Sequence, residues 1–400
     1  MQKSSLTQYA TIFIILFATY YIPIDTRASI GWPKLVLMGS MIFMFLINSL
    51  KLSKALAIGT FYIIWQFLSA SFHPEYWRWS TLLFSCSFIY TYVGFYNFVT
   101  IEKVFTINHF IKICKWIMMA YFIVCIMQQL AIIAGFKTLA IINFTYTLDR
   151  GIGCYSLARE PSTFGRFMLV FYYAYIKCCE YKRGEGPFSL QELFSGEHKW
   201  ITIRFLWMML TMGSGTAFVC LILFCGYFVR RHNWYYVVPL LAIGYSLIQA
   251  SGIEALDRAT NAIEATSTLD AQAIRKTDGS AAARISPILN SLNADFSKVE
   301  TWIGRGVDAG HRTPFSKRTI FDDYGFVFYL ISILLNFTCA YNFWSLATIF
   351  MFAGVGGGSG GNIQYAWTLM MVMTCVKYFH ENKNNPEIYD NENETNEINT

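Results

Sequence analysis

Charge is scarce in this sequence. Asp, Glu, Lys and Arg make up 14% of its 400 residues, where a soluble domain carries about 25%. That deficit argues against a soluble domain. Several motifs are missing as well. There is no Asp-x-Asp pair, so the metal–diphosphate clamp of many nucleotide-sugar transferases has no counterpart. There is no Walker loop, no HExxH helix, and no internal repeat of helix pairs of the transporter kind. The cysteines show neither zinc spacing nor a disulfide framework. Cys86, Cys114, Cys125, Cys178, Cys179, Cys220, Cys225, Cys339 and Cys375 fall in apolar runs or at their edges, and Cys154 alone falls in an external loop. Buried thiols of this kind behave as small apolar groups. No small-residue cleavage site follows the first apolar run, so that run reads as a retained span. The formal charge of +6 is distributed by membrane side rather than gathered in one patch, which gives no reason to expect nucleic acid.

What the sequence does have is apolar length. It is 55% hydrophobic and 18% aromatic. Its apolar runs match the roughly 20 residues a helix needs to cross a bilayer core of about 30 Å. Spans are expected at 9–23, 34–50, 55–71, 80–98, 115–134, 163–179, 200–213, 216–229, 235–250, 323–340, 342–355 and 362–379. Those near 200 and 342 are short enough to be tilted or re-entrant. The expected fold is an all-α integral membrane protein, a polytopic bundle of about 12 transmembrane helices. Residues 1–380 form the membrane domain, with one large external loop at 251–322. The Asn- and Glu-rich tail, 381–400, is expected to be disordered and cytoplasmic.

Lysine and arginine in the short loops set the orientation. Lys51, Lys54, Lys103, Lys112, Lys182, Arg183, Lys199, Arg230 and Arg231 fall on one side, read as cytoplasmic. Both termini then lie inside and the loop 251–322 outside. Arginine predominates on the external side. Its planar fork of donors grips phosphate or carboxylate in two places, so the bias points to anion binding there.

Three constellations could carry chemistry. The first runs from Asp149-Arg150-Gly151 to Arg159-Glu160-Pro161-Ser162-Thr163-Phe164-Gly165-Arg166, at the external mouth of the sixth span. Pro161 suits the first turn of a helix and Glu160 suits its positive end. Arg166, about one turn inside an apolar helix, is a functional candidate by default. A plain helix cap, with Glu160 paired to Arg159 or Arg166, is the alternative. The second is the large loop, with Arg284 and then Gly304-Arg305-Gly306-Val307-Asp308-Ala309-Gly310-His311-Arg312. Closely spaced glycines let backbone amides turn toward an anion, or simply make a flexible turn. The third is Asp322-Asp323-Tyr324-Gly325, two acids at the start of the tenth span, where the helix dipole stabilises them. Gly213-Ser214-Gly215-Thr216 reads as a tight external turn, and the glycine run 354–361 as a close-approach segment or a hairpin. External His73, beside Trp77 and Trp79, reads as an interfacial residue with no partner.

The segment RGIGCYSLAREPSTFGR resembles the arginine- and Glu-Pro-Ser-bearing loop of Wzy-type polysaccharide polymerases, in the O-antigen polymerase and ligase superfamily of bacterial membrane glycosyltransferases. The stretch from Arg284 to Gly306, and Asp323-Tyr324-Gly325 after it, are similar to that family's pattern around its large external loop. The resemblance implies a GT-C-like helical fold in the inner (cytoplasmic) membrane. It implies undecaprenyl-diphosphate-linked oligosaccharide as substrate, no metal or other cofactor, and a chain-length regulator and a flippase as partners. It marks Arg159, Arg166 and Arg284 as diphosphate binders, to which the residue-level reading adds Arg150 and Arg305. It leaves the base open between Glu160 and His311. A ligase of the same superfamily, or a lipid-linked oligosaccharide flippase, is the competing reading.

Overall fold

The computed structural model describes residues 51–103, 106–136, 153–158, 160–184, 186–214, 217, 220–221, 224–228, 294–307, 320–340 and 364–389, with positions 39, 235, 239 and 246. Apart from those four single positions, the spans expected at 9–23, 34–50, 235–250 and 342–355, most of the large loop and the final residues of the tail lie outside them. The described residues are helical and contain no strand. Their long helices are α1 Lys54–Ser71, α2 Trp79–Thr100, α3 Ile107–Ile133, α4 Pro161–Arg183, α5 Lys199–Thr211, α6 Ile320–Phe337 and α7 Gln364–Glu381.

Local chemistry sets the helix ends. Ser53 caps α1, its hydroxyl accepting from Leu56 N–H at 3.1 Å. Thr106 caps α3 in the same way, through His109 N–H. That cap starts α3 eight residues before the expected span at 115, and draws Lys112 and Lys115 into the helix. The sequence reading missed it because lysines in an apolar run look like a connector. α4 opens on Pro161 and ends on Gly184, which takes the left-handed conformation at φ 71°.

α1 and α2 form an antiparallel hairpin. Gly59 is the close-approach point, where a Cβ would meet Ile89 Cγ2 at 2.9 Å and Val93 Cγ2 at 3.1 Å. α6 returns antiparallel to α1, with Tyr62 on Phe328 (4.2 Å) and Trp65 bonded to Tyr324. α3 and α4 are antiparallel through Tyr121 stacked on Phe164 (5.6 Å). α7 lies beside α4, its His380 bonded to Tyr181. These pairings give the bundle two ends. One, the loop end, gathers 72–78, 153–158, 160, 212–214, 303–307 and 320–325. The other, the tail end, gathers 184, 186–198 and 382–389.

The outward faces are apolar. α1 buries Ala55, Gly59, Tyr62, Gln66 and Ser69 and exposes Phe61, Ile64 and Leu68. α3 exposes Trp116, Ile123, Met127, Leu130 and Ile133. A soluble surface helix has the opposite polarity. By length and composition, α2 (mean hydropathy 1.3) and α3 (2.0) can cross a membrane.

Candidate functional site

Two motifs that stand apart in sequence meet at the loop end. Val299–Ile303 is one short helical turn, and it stops at Gly304. Gly304 (φ 85°) and Gly306 (φ 93°) adopt backbone shapes that favour glycine. The chain then runs alongside the start of α6. Arg305 N–H donates to Asp322 O at 2.9 Å, and Gly306 N–H donates to Asp323 O at 3.1 Å. α6 is broken there at Gly325, φ 81° and ψ 179°. The acids at 322 and 323 were expected at the start of one continuous helix. They occupy instead a first turn that is swung away from the rest of α6, and their carbonyls are spent on the loop.

The fit is close to the limit of contact. A Cβ on Gly304 would lie 2.6 Å from Asp323 C and from Tyr324 Cα, and one on Gly325 would lie 2.5 Å from Gly304 N. α1 holds the junction from the other side. Ser69 Oγ donates to Ile303 O. His73 Nε2 lies 3.1 Å from Gly304 O. Trp65 Nε1 donates to Tyr324 O at 3.2 Å. His73 is therefore no mere interfacial residue; it is a fastener of the loop, and the expectation of no partner is corrected. The sequence did carry a signal for it. Ser69 is a polar residue in the last turn of an apolar helix, and His73 follows two residues after the helix ends.

Arg305 stands at this junction, 62% exposed, with its Nε 3.7 Å from Glu300 Oε2. Asp323 is buried and Tyr324 packs on Phe328 (4.6 Å). Two aromatic groups flank the junction. Phe296, Trp302 and Phe326 pack edge-to-face with centroids 5.0 to 5.7 Å apart. Phe67, Trp77 and Trp79 form the other group.

The second cluster opens α4. Glu160 is the N-cap residue and is exposed. Its carboxylate accepts from the hydroxyls of Ser162 at 2.6 Å and Thr163 at 3.3 Å rather than from a backbone N–H. Arg166 lies in the second turn and is buried, 5% exposed. Sequence reasoning placed both at one mouth; the structure separates them by depth, the carboxylate at the surface and the guanidinium among the helices. Gly165 brings in the Gly213-Ser214 turn, since a Cβ there would meet Ala217 Cα at 3.2 Å and Met212 Sδ at 3.4 Å. Arg150, Arg159, Arg284 and His311, and the glycine run 354–361, lie outside the described residues.

Chemically, the loop end offers an exposed carboxylate at Glu160, an exposed guanidinium at Arg305, and buried Arg166 and Asp323 on separate helices. Among the described residues no three His, Cys, Asp or Glu side chains cluster as metal ligands. No protein-family model, curated protein or solved structure matches the chain.

Proposed function

We propose that this protein is a membrane glycosyltransferase that joins undecaprenyl-diphosphate-linked oligosaccharide repeats into a polysaccharide at the periplasmic face of the bacterial inner membrane. In this reading the loop end faces outward and both termini are cytoplasmic. The observation that supports it most is the anchoring of Gly304-Arg305-Gly306 onto Asp322–Gly325. It fixes a cation of the large loop at the same bundle end as Glu160 and Arg166. Exposed apolar faces on α1 and α3 suit lipid, and the resemblance of the Glu-Pro-Ser and Gly-Arg-Gly segments points the same way.

Diphosphate is already a competent leaving group, so the site needs two things. Arginines stabilise the departing charge, a role for Arg305, Arg166 and the arginines at 150, 159 and 284. One base takes the proton from the attacking sugar hydroxyl, a role for Glu160 or His311. Displacement of a bound leaving group by one activated hydroxyl inverts the anomeric centre.

The test is purified protein in lipid with a synthetic undecaprenyl-diphosphate repeat and no added metal. A ladder of products differing by one repeat is expected, and Glu160→Gln should bind donor yet give no ladder. Transfer of preformed chains to a lipid A core acceptor without a ladder would mean a ligase. Translocation of the lipid-linked repeat without any new glycosidic bond would mean a flippase.

A further inference from the structure

Two sulfurs at the loop end take no part in the proposed reaction. Cys154 Sγ lies 3.3 Å from Cys125 Sγ, and both side chains are buried, at 2% and 0% exposure. The approach does not depend on one side-chain rotamer, because the backbone on both sides is fixed. Gln128 Oε1 accepts from Ser156 N–H at 2.7 Å, and Gln128 Nε2 donates to Ser156 O at 3.0 Å. Ser156 Oγ donates to Tyr121 O at 2.6 Å, and φ of 51° at Ser156 turns the chain back onto α3. The segment 153–158 is thus clamped along one face of α3, over Tyr121, Cys125 and Gln128, which are successive turns of the helix. A disulfide needs sulfurs at about 2.05 Å, so closure requires about 1.2 Å of movement, within reach of two small χ1 rotations.

We propose that Cys125 and Cys154 form a disulfide that staples the segment 153–158, and with it the entry to α4, onto α3. The inference rests on the outward orientation of the loop end, because disulfides persist on the oxidising side of a membrane. The oxidant is an exchange-competent protein disulfide of that compartment. The thiolate of Cys154 attacks one of its sulfurs, breaking the oxidant's S–S bond and leaving a mixed disulfide. Cys125 then displaces the oxidant's remaining thiolate. One S–S bond has broken and one has formed, two electrons have passed to the oxidant, and the two protons end on its thiols. Burial of both sulfurs means that exchange precedes docking of the segment on α3, and that the finished bond is shielded from reductant. Cys114, Cys178, Cys179 and Cys375, buried toward the tail end on α3, α4 and α7, stay as thiols on the reducing side.

The experiment traps thiols at lysis, in denaturant with an alkylating maleimide, and maps the full-length protein by mass spectrometry. Eight of the ten cysteines should be alkylated without reductant and all ten after reduction. A peptide pair linking Cys125 to Cys154, lighter by two hydrogens than its parts, is expected. Cys154→Ser should leave every remaining cysteine alkylated without reductant; a thiol still blocked in that variant would place the bond elsewhere and overturn the assignment. Ten alkylated cysteines in the unreduced wild type would also overturn it. In that case dipyridyl disulfide added to native membranes separates the causes. A pair that then links overturns the orientation; if it does not, the same reagent present during synthesis into membrane vesicles, before the segment docks, decides, and a pair unlinked there overturns the geometry.

Discussion

A side chain on Gly325 would need the space that the backbone of Gly304 fills. A Cβ on Gly325 would sit 2.5 Å from Gly304 N, and both residues hold positive φ. Alanine at either position therefore meets backbone, which cannot swing aside, and a backbone shape that resists a side chain. Gly325→Ala or Gly304→Ala should cost about 2–4 kcal/mol or more, in the range of severe single-site defects. Thermal unfolding in detergent should show the loss. Gly186→Ala, at a glycine with nothing within 4 Å of a Cβ, should melt like wild type.

His73 is expected to act on the loop rather than on the whole bundle. Losing one hydrogen bond to Gly304 O should cost about 1 kcal/mol. Limited trypsin digestion reads it locally, since Lys298 and Arg305 are both exposed. His73→Ala should be cut faster there than wild type, with cleavage elsewhere unchanged. Equal rates would show that the 3.1 Å contact does not hold the loop.

Arg305 separates stability from binding. Its partner Glu300 is exposed, and exposed pairs contribute about 0–1 kcal/mol. Arg305→Ala should leave the melting temperature near wild type. If ladder formation falls at least tenfold while the fold is intact, the guanidinium acts on substrate. Arg305→Lys keeps charge but loses the fork, so it should fall between the two. A full ladder from Arg305→Ala would remove this arginine from the site.

At the tail end, burial pushes the His198 imidazole below its ordinary pKa, and Lys115 and Arg183 push the same way against Glu197 and Glu192. Tyr175 Oη lies 2.8 Å from its Nδ1. The folded protein thus binds less proton at His198 than the unfolded chain does. That contribution to stability is complete above the unfolded value of about 6.5 and is lost as pH falls through the folded value. Glu192, held at about 2 first by its hydrogen bonds from Ser189, and Glu197, lowered by its hydrogen bond from Lys115, titrate in a lower window. Between pH 7 and 5 wild type should lose more melting temperature than His198→Gln. Parallel curves would exclude His198.

Gly165 probes the contact of α4 with Met212 and Ala217. Alanine would press on Ala217 Cα at 3.2 Å but would gain about 1 kcal/mol of helix propensity, so little net change is expected. Leucine must part the two segments and should cost about 1–3 kcal/mol by overpacking. A leucine variant that melts like wild type would show that the segments are not in contact.

How much of this was legible in the sequence differs by element. The described helices α1, α2, α4, α5, α6 and α7 start and stop within a few residues of expectation, because apolar length is local information. α3 was misjudged, since Thr106 as a cap outweighs the lysines that follow it. Gly304-Arg305-Gly306 and Asp323-Tyr324-Gly325 were both noticed, yet as separate motifs. Their union depends on a carbonyl-to-amide register that no local pattern encodes. His73 has no partner legible in sequence because Gly304 lies 231 residues away, and the nearness of Cys154 to Cys125, 29 residues apart, is equally hidden. Cys125 in an apolar run looks like any core thiol.

The distance between His73 and Gly304 also sets a clock. A ribosome adds about 5–20 residues per second, so the 231 residues between them take about 12–46 s to emerge. Once residue 100 has been added, for the rest of that interval the α1–α2 hairpin is complete, with Trp65, Ser69 and His73 facing no loop. The loop end is therefore among the last parts of the described fold to be assembled during biosynthesis, and a nascent chain halted before residue 303 carries a hairpin whose polar fasteners await a companion still to be translated.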